Sequence, residues 1–319
     1  MEKIEDIKAR LNKIYGKGTL ITANEKPENV DVISTGSYLI DLATGIGGFP
    51  RGRVIELIGP ESSGKTTLAM QVIAKAQEQK LLAAYIDMEH AFNFPYAKSL
   101  GIDVDNLLFS QPQYGEQALN IARQCVESGN VAVVVVDSVA ALIPRKELEG
   151  EVGDTNIGKQ AWMMSQALRI LCPVVEKTNT LVIFINQIRM KVGVLYGSPE
   201  VGAGGEALKF YSSMRIDMRK LQADKEREGN KIKIKVVKNK MAPPLGEATV
   251  FLQWGTGILK FDEIFDLALA KDIIKRSGSW YYYKDQRLGQ GEESVKILLL
   301  DNAELFDTIE SEVKNIIKT

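Results

Sequence analysis

The 319-residue chain predicts an α/β fold, a central and mainly parallel twisted sheet flanked by helices. Three observations carry this expectation. Four short apolar runs alternate with helical stretches; a glycine-rich phosphate-loop signature stands between one run and its following helix; and 45% hydrophobic against 25% charged residues is the balance of a chain that buries a core. The runs are too apolar to face water, so the sheet must be covered on both faces.

Taken in order, Ile4, Ile7, Leu11 and Ile14 recur at three- and four-residue spacing and predict an amphipathic helix of about four turns that ends at Gly16 and Gly18. So short a helix cannot bury its own stripe, and two partners stay open for it: its own domain or another subunit. The strand-like runs follow at 54–58, 81–87, 131–137 and 180–186, with helical sequence between them. Residues 193–205, rich in glycine and broken by Pro199, read as a long functional loop. Residues 232–239 and 248–254 read as antiparallel strands joined across Pro243-Pro244. Short helices and the aromatic cluster Trp280–Tyr283 then predict a small α+β C-terminal domain, whose aromatic strand builds its own core. The boundaries are an N-terminal oligomerisation helix and linker at 1–26, a core at 27–260, and the small domain at 261–319.

Composition excludes much chemistry. Cys125 and Cys172, 47 positions apart, form neither a disulfide framework nor a cysteine zinc site, and read as buried thiols. His90 is the single histidine, which rules out multi-imidazole metal sites. It reads as a supporting hydrogen-bonder rather than a base. No apolar run approaches the roughly 18 residues of a membrane span. The charged start lacks a secretory signal, so a cytoplasmic protein is expected. A net charge of -1 gives no global pull toward nucleic acid, but residues 215–240 hold ten basic against four acidic side chains.

The strongest motif is Gly59-Pro60-Glu61-Ser62-Ser63-Gly64-Lys65-Thr66, a GxxxxGKT loop between a strand and a helix. Its glycines let backbone N–H groups surround a phosphate chain at a helix N-terminus, Lys65 neutralises the terminal phosphates, and the Thr66 hydroxyl ligates Mg²⁺. With Thr67 beside it, the motif forms the candidate nucleotide-binding set. Asp137, closing a buried strand, is the candidate carboxylate for the same ion. Glu61, Asp87 and Glu89 are all candidates for orienting an attacking water, and spacing does not choose among them. Asn186-Gln187 closes the fourth strand, where an amide could sense a γ-phosphate.

The segments 59–77, 86–103, 133–154, 184–200 and 235–244 together resemble the bacterial RecA family of homologous recombinases, over residues 17 to about 302. The resemblance implies a RecA-type P-loop NTPase core and an ATP-dependent recombinase. Such a protein forms filaments on single-stranded DNA, pairs it with double-stranded DNA, and hydrolyses ATP with Mg²⁺. It further implies stimulation of LexA-type repressor self-cleavage. Under it, Glu89 is the catalytic carboxylate, Gln187 the γ-phosphate sensor, and Tyr96 an aromatic on the adenine. Lys238 and Lys240 reach the nucleotide of the next protomer, and the first helix packs on that neighbour.

The DNA-binding loops correspond to about 150–158 and 188–205. Ser165, Arg169, Arg189, Gly204 and Gly205 match positions that touch the single strand, and Ile157 and Val192 match apolar wedges between bases. Where family members carry aspartate, arginine, asparagine and phenylalanine, this chain has Asn93, Trp162, Glu206 and Tyr196. Trp162 trades a cation for a stacking surface, and Glu206 is expected to weaken strand binding. The chain ends without an acidic tail, which by the same resemblance implies less restrained pairing with duplex. Two rival readings remain at this stage, a hexameric helicase motor and a non-catalytic accessory paralogue; the Lys238 and Lys240 pair opposes the first, and intact Lys65, Glu89 and Gln187 the second.

Overall fold

The apolar runs become strands because their side chains divide between two faces. In the run 131–137, Val133 and Val135 join one core while Val134 and Val136 join the other. The computed structural model describes residues 3–25, 30–151, 158–190, 200–224 and 226–317. Ile157, Val192 and Tyr196 lie outside the described residues.

The chain divides into two compact units, Met1–Asp31 and Val32–Thr319. The first holds α1 (Ile4–Tyr15), none of whose residues is buried. The chain turns back on the helix after Gly16: Leu20 N donates to Asn12 Oδ1 at 2.9 Å, and Asn12 Nδ2 donates to Leu20 O at 3.0 Å.

The second unit begins with β1 (Val32–Ile33), α2 (Tyr38–Thr44), β2 (Phe49–Pro50), β3 (Val54–Gly59), α3 (Lys65–Glu78), β4 (Leu82–Asp87), α4 (Phe94–Ser99) and β5 (Leu107–Ser110). It continues through α5 (Gly115–Glu127), β6 (Val131–Asp137), α6 (Arg145–Leu148), α7 (Lys159–Thr178), β7 (Leu181–Met190), β8 (Glu200–Gly202), α8 (Ala207–Tyr211), β9 (Met214–Asp224), β10 (Gly229–Asn239), β11 (Glu247–Gln253) and β12 (Gly257–Ile258). It closes with α9 (Lys260–Ala270), β13 (Ile274–Ser277), β14 (Trp280–Tyr283), β15 (Gln286–Gln290), α10 (Glu292–Asp301) and α11 (Ala303–Ile317).

A ten-stranded sheet runs β12-β11-β10-β9-β3-β7-β6-β4-β5, with β8 antiparallel on β7. From β9 through β5 the pairing is parallel; from β9 to β12 it is antiparallel. Helix α3 packs in one core, and α5 with α7 in the other. Because β3, β4, β6 and β7 are parallel, the chain beyond Gly59, Asp87, Asp137 and Gln187 leaves the same edge of the sheet, in β7 as strand up to Met190. That edge is where open α/β sheets bind ligands.

Strand β9 was not among the runs read from the sequence, and the 180–186 run extends as β7 to Met190, so the root of the expected second loop is strand. Cys125 and Cys172 are half-buried against the α5–α7 core rather than fully enclosed.

Residues 261–317 form a third core under the meander β13-β14-β15. Tyr281 and Tyr283 are buried there, while Trp280 and Tyr282 are half-buried. Two carboxylates join this region to α2. Glu263 accepts from Ser37 Oγ and, at 2.8 Å, from Tyr38 N; Glu310 accepts from Tyr38 OH, Lys260 and Lys314, each at 2.6 Å.

Candidate functional site

The loop after β3 is shaped by what surrounds it. Gly64 sits at φ 85°, in the left-handed region, and a Cβ there would stand 2.6 Å from Leu252 Cδ1, so only glycine fits before α3 begins. Lys65 opens α3 and is buried; its Nζ donates to Gly59 O at 3.0 Å, Pro60 O at 2.6 Å and Ser63 Oγ at 3.3 Å. Burial pushes its pKa down, against the pull of Asp137, Glu89 and Glu61. An ammonium so desolvated gains from a phosphate anion at the helix N-terminus.

Thr66 Oγ1 donates to Asp137 Oδ2 at 2.8 Å, and Tyr85 OH donates to the same oxygen at 2.6 Å. Burial raises the Asp137 pKa; the two hydroxyls oppose the rise, and the nearby Glu89 and Asp87 add to it. Among the described residues no cluster of three or more His, Cys, Asp or Glu could hold a metal ion. One carboxylate and one hydroxyl in a negative pocket are nevertheless the hard-oxygen set that Mg²⁺ takes when phosphate oxygens and waters supply the rest. The residues fit that ion. Tyr85 was not singled out in the sequence, because it lies within an apolar strand run.

The three carboxylates left open by spacing have different surroundings. Asp87 is buried and accepts from Ala91 N, Phe92 N and, at 3.0 Å, Gln111 Nε2, so it shapes the loop after β4. Glu61 is exposed on the phosphate loop. Glu89 Oε1 accepts from Ser138 Oγ and, at 2.9 Å, from Gln187 Nε2. Register brings these together, since Asp87 pairs with Asp137 and Gly59 with Gln187 across the sheet. His90 is exposed.

Beside the phosphate loop lies a cavity of about 710 Å³ whose wall includes Ser62, Thr67, Tyr96 and Asn230. Tyr96 OH is 2.9 Å from Thr67 Oγ1, which places the aromatic ring next to the loop. Asn93 caps α4, its Oδ1 accepting from Tyr96 N at 2.9 Å.

Behind Gln187 the sheet carries a polar row. Glu56, 1% exposed, accepts from Asn186 Nδ2 at 2.8 Å and from Arg215 Nε, while Asn186 Nδ2 also donates to Ala203 O at 3.2 Å. Arg215 stands in register between Glu56 and Lys238. Lys238 Nζ donates to Lys209 O and Phe210 O at 2.6 and 2.9 Å; burial lowers its pKa to about 8, with Lys240 and Arg215 adding to the effect. Lys240 is exposed.

Trp162, Ser165 and Arg169 share one face of α7 by their spacing, Trp162 and Arg169 exposed and Ser165 half-buried. Gly204 and Gly205, at φ 75° and 78°, press on the structure around it: added Cβ atoms would stand 2.7 Å from Val139 Cγ1 and 2.6 Å from Ala161 Cβ. The exit of the second loop therefore lies against the first turn of α7. Arg189 is exposed near the end of β7, opposite Val201. Glu206 pairs with Lys209 at 3.0 Å.

The sequence matches known proteins over nearly the whole chain. Residues 2–259 match the RecA N-terminal domain model and residues 262–318 the RecA C-terminal domain model. Protein RecA of Rhizobium leguminosarum bv. viciae is 53% identical over 318 residues, which is 97% of this chain and 91% of that one. Protein RecA of Clostridioides difficile is 49% identical over 320 residues, 98% of this chain and 92% of that one. The solved RadB recombinase structure aligns at a TM-score of 0.54 and 23% identity, over 71% of this chain and 98% of its own, a likeness of fold.

Proposed function

The chain belongs to the RecA family, and from that premise we propose that it is an ATP-dependent DNA recombinase which assembles on single-stranded DNA, pairs it with double-stranded DNA and exchanges strands. The observation that carries the reading is the 2.9 Å hydrogen bond from Gln187 to Glu89, which ties the end of one strand to the root of the chain segment expected to touch DNA.

In this reading the loop Gly59–Thr66, with Thr67, holds the phosphates, and Tyr96 lies on the adenine. Thr66 and Asp137 would hold Mg²⁺, which when bound draws negative charge off the β- and γ-phosphates. Glu89 takes the proton of the water whose oxygen attacks the γ-phosphorus, as the bond to the bridging oxygen breaks and ADP leaves. Lys65 meets the charge that develops. Lys238 and Lys240 do so from the adjacent protomer of a filament, so turnover requires assembly.

Gln187 contacts the γ-phosphate in one nucleotide state and Glu89 in the other, which couples the nucleotide to residues 188–205. Trp162, Ser165, Arg169, Arg189, Gly204 and Gly205 hold the single strand through stacking, cations and backbone amides, with Ile157 and Val192 as the apolar wedges. The filament presents a surface that promotes self-cleavage of a LexA-type repressor. Among the described residues no helix is long and apolar enough to cross a membrane.

The test is ATP hydrolysis with and without single-stranded DNA, with electron microscopy of the same samples. DNA-stimulated turnover on helical filaments, reduced by about 10²- to 10⁴-fold in Glu89→Gln with nucleotide binding intact, is the expected result. Turnover on rings without filaments overturns the assignment in favour of a motor.

A further inference from the structure

Glu56 puts a charge in the middle of the sheet. It stands within β3, between β7 and β9, with Phe184 and Arg215 as its register partners. Its Oε2 accepts from Arg215 Nε and its Oε1 from Asn186 Nδ2 at 2.8 Å, and both Glu56 and Asn186 are only 1% exposed. A buried ion pair adds little stability over apolar side chains of the same volume, so what this one holds in place matters more than what it stabilises. It holds Asn186. The amide Oδ1 accepts from Gln187 N at 2.9 Å, its Nδ2 donates a second bond to Ala203 O at 3.2 Å, and Ala203 N donates to Gln187 O at 3.2 Å. Gln187 and Ala203 stand at the two ends of the segment expected to touch DNA, so one amide staples the entry of that segment to its exit and to the sensor.

We infer that Glu56 is a positioning residue for the coupling of nucleotide to DNA: it fixes which way the Asn186 amide faces, and through that amide ties the state of Gln187 to both ends of residues 188–205. The inference rests on the recombinase reading above. A carboxylate has no donor, so only the nitrogen of Asn186 can face it, which leaves the Asn186 oxygen for Gln187 N. The Arg215 guanidinium holds the second carboxylate oxygen and keeps Glu56 from turning away. Glutamine has the same size but one oxygen. With that oxygen on Arg215, its amino group meets the Asn186 amino group, donor against donor. Asn186 then turns over, Gln187 N and Ala203 O each face a group of their own kind, and the staple opens.

The experiment measures the affinity of the full-length protein for a labelled oligothymidylate by anisotropy, with ADP and with non-hydrolysable AMP-PNP, each with Mg²⁺, and without nucleotide. The proteins are the wild type, Glu56→Gln, Asn186→Ala and the double variant. AMP-PNP tightens DNA binding over ADP in the wild type; in Glu56→Gln that ratio falls toward one by about tenfold, while the affinity for AMP-PNP without DNA and for DNA without nucleotide each stay within about threefold. Asn186→Ala, which keeps the Glu56–Arg215 pair, loses the ratio to the same extent, and adding Glu56→Gln to it changes nothing further, because the two residues act in series. A ratio unchanged in either single variant, losses that add in the double variant, or affinities that all weaken together overturn the inference. Should Glu56→Gln not fold, Asn186→Ala carries the test: a ratio kept there overturns the inference, and one lost with nucleotide affinity intact supports it. A wild type whose DNA affinity does not respond to AMP-PNP overturns the recombinase reading, and the inference with it.

Discussion

At the scale of single residues, the site works by placing charges where water does not screen them. Lys238 shows the consequence most directly. Burial and two neighbouring cations bring its pKa down to about 8, so it is a cation below that pH and neutral above it. If it meets phosphate charge across a protomer boundary, DNA-stimulated hydrolysis declines as pH rises through about 8, and Lys238→Arg moves that decline upward by at least about one unit; a pH–rate profile of both proteins checks this. Glu206 gives a second expectation. Its pairing with Lys209 is exposed on both sides, hence weak, and leaves a carboxylate beside Gly205. Glu206→Asn tightens single-stranded DNA binding at low ionic strength, and the gain fades as salt is raised; equal affinities in a salt titration contradict it.

At the scale of elements, the return of the second loop is governed by two glycines. Gly205→Ala must force a Cβ toward Ala161 at a left-handed φ, which costs on the order of 1–3 kcal/mol and displaces the loop from α7. Loss of single-stranded DNA affinity with nucleotide affinity unchanged, read by anisotropy, is the expected signature.

This scale also shows what the sequence disclosed. The strands β3, β4, β6 and β7 were legible because, buried on both faces, they read as continuous apolar runs. Strand β9 was not, although Met214, Ile216 and Met218 are buried and alternate with Arg215, Asp217 and Arg219. Its period of two carries charge on alternate positions, and a search for apolar runs passes over it. The phosphate loop with Thr66 was legible because its spacing is local, and Asp137 because it closes an apolar run. The meeting of Glu89 with Gln187 depends on parallel register between strands about 100 residues apart, and that of Glu56 with Asn186 on the pairing of β3 with β7; neither leaves a mark in local sequence.

At the scale of the whole molecule, the small C-terminal region is fastened to the core through α2, and the fastening titrates. Burial raises the Glu263 pKa to about 7, with the Ser37 and Tyr38 hydrogen bonds opposing the rise. A carboxyl whose folded pKa lies above its unfolded value binds more protons in the native state. Its contribution is fully present below the ordinary value near 4.5 and is lost as pH rises through about 7. Stability from this seam therefore falls between about pH 5 and 8, by on the order of 2–3 kcal/mol, and Glu263→Gln flattens that slope in thermal melts at the two pH values. An unchanged slope in the variant assigns the pH dependence elsewhere.

The strand order has a consequence in time as well as in space. Strand β3, which ends in the phosphate loop, is flanked by β7 and β9, both contributed by chain beyond residue 180. A ribosome that has released only the first half of the protein has exposed the GxxxxGKT segment with both of its sheet neighbours still unsynthesised. The loop has no frame until residues 214–224 emerge, so triphosphate cannot stabilise the nascent chain early. Synthesis must outlast this interval with an unpaired apolar strand in the open, and this folding order follows from sequence-distant pairing around the site itself.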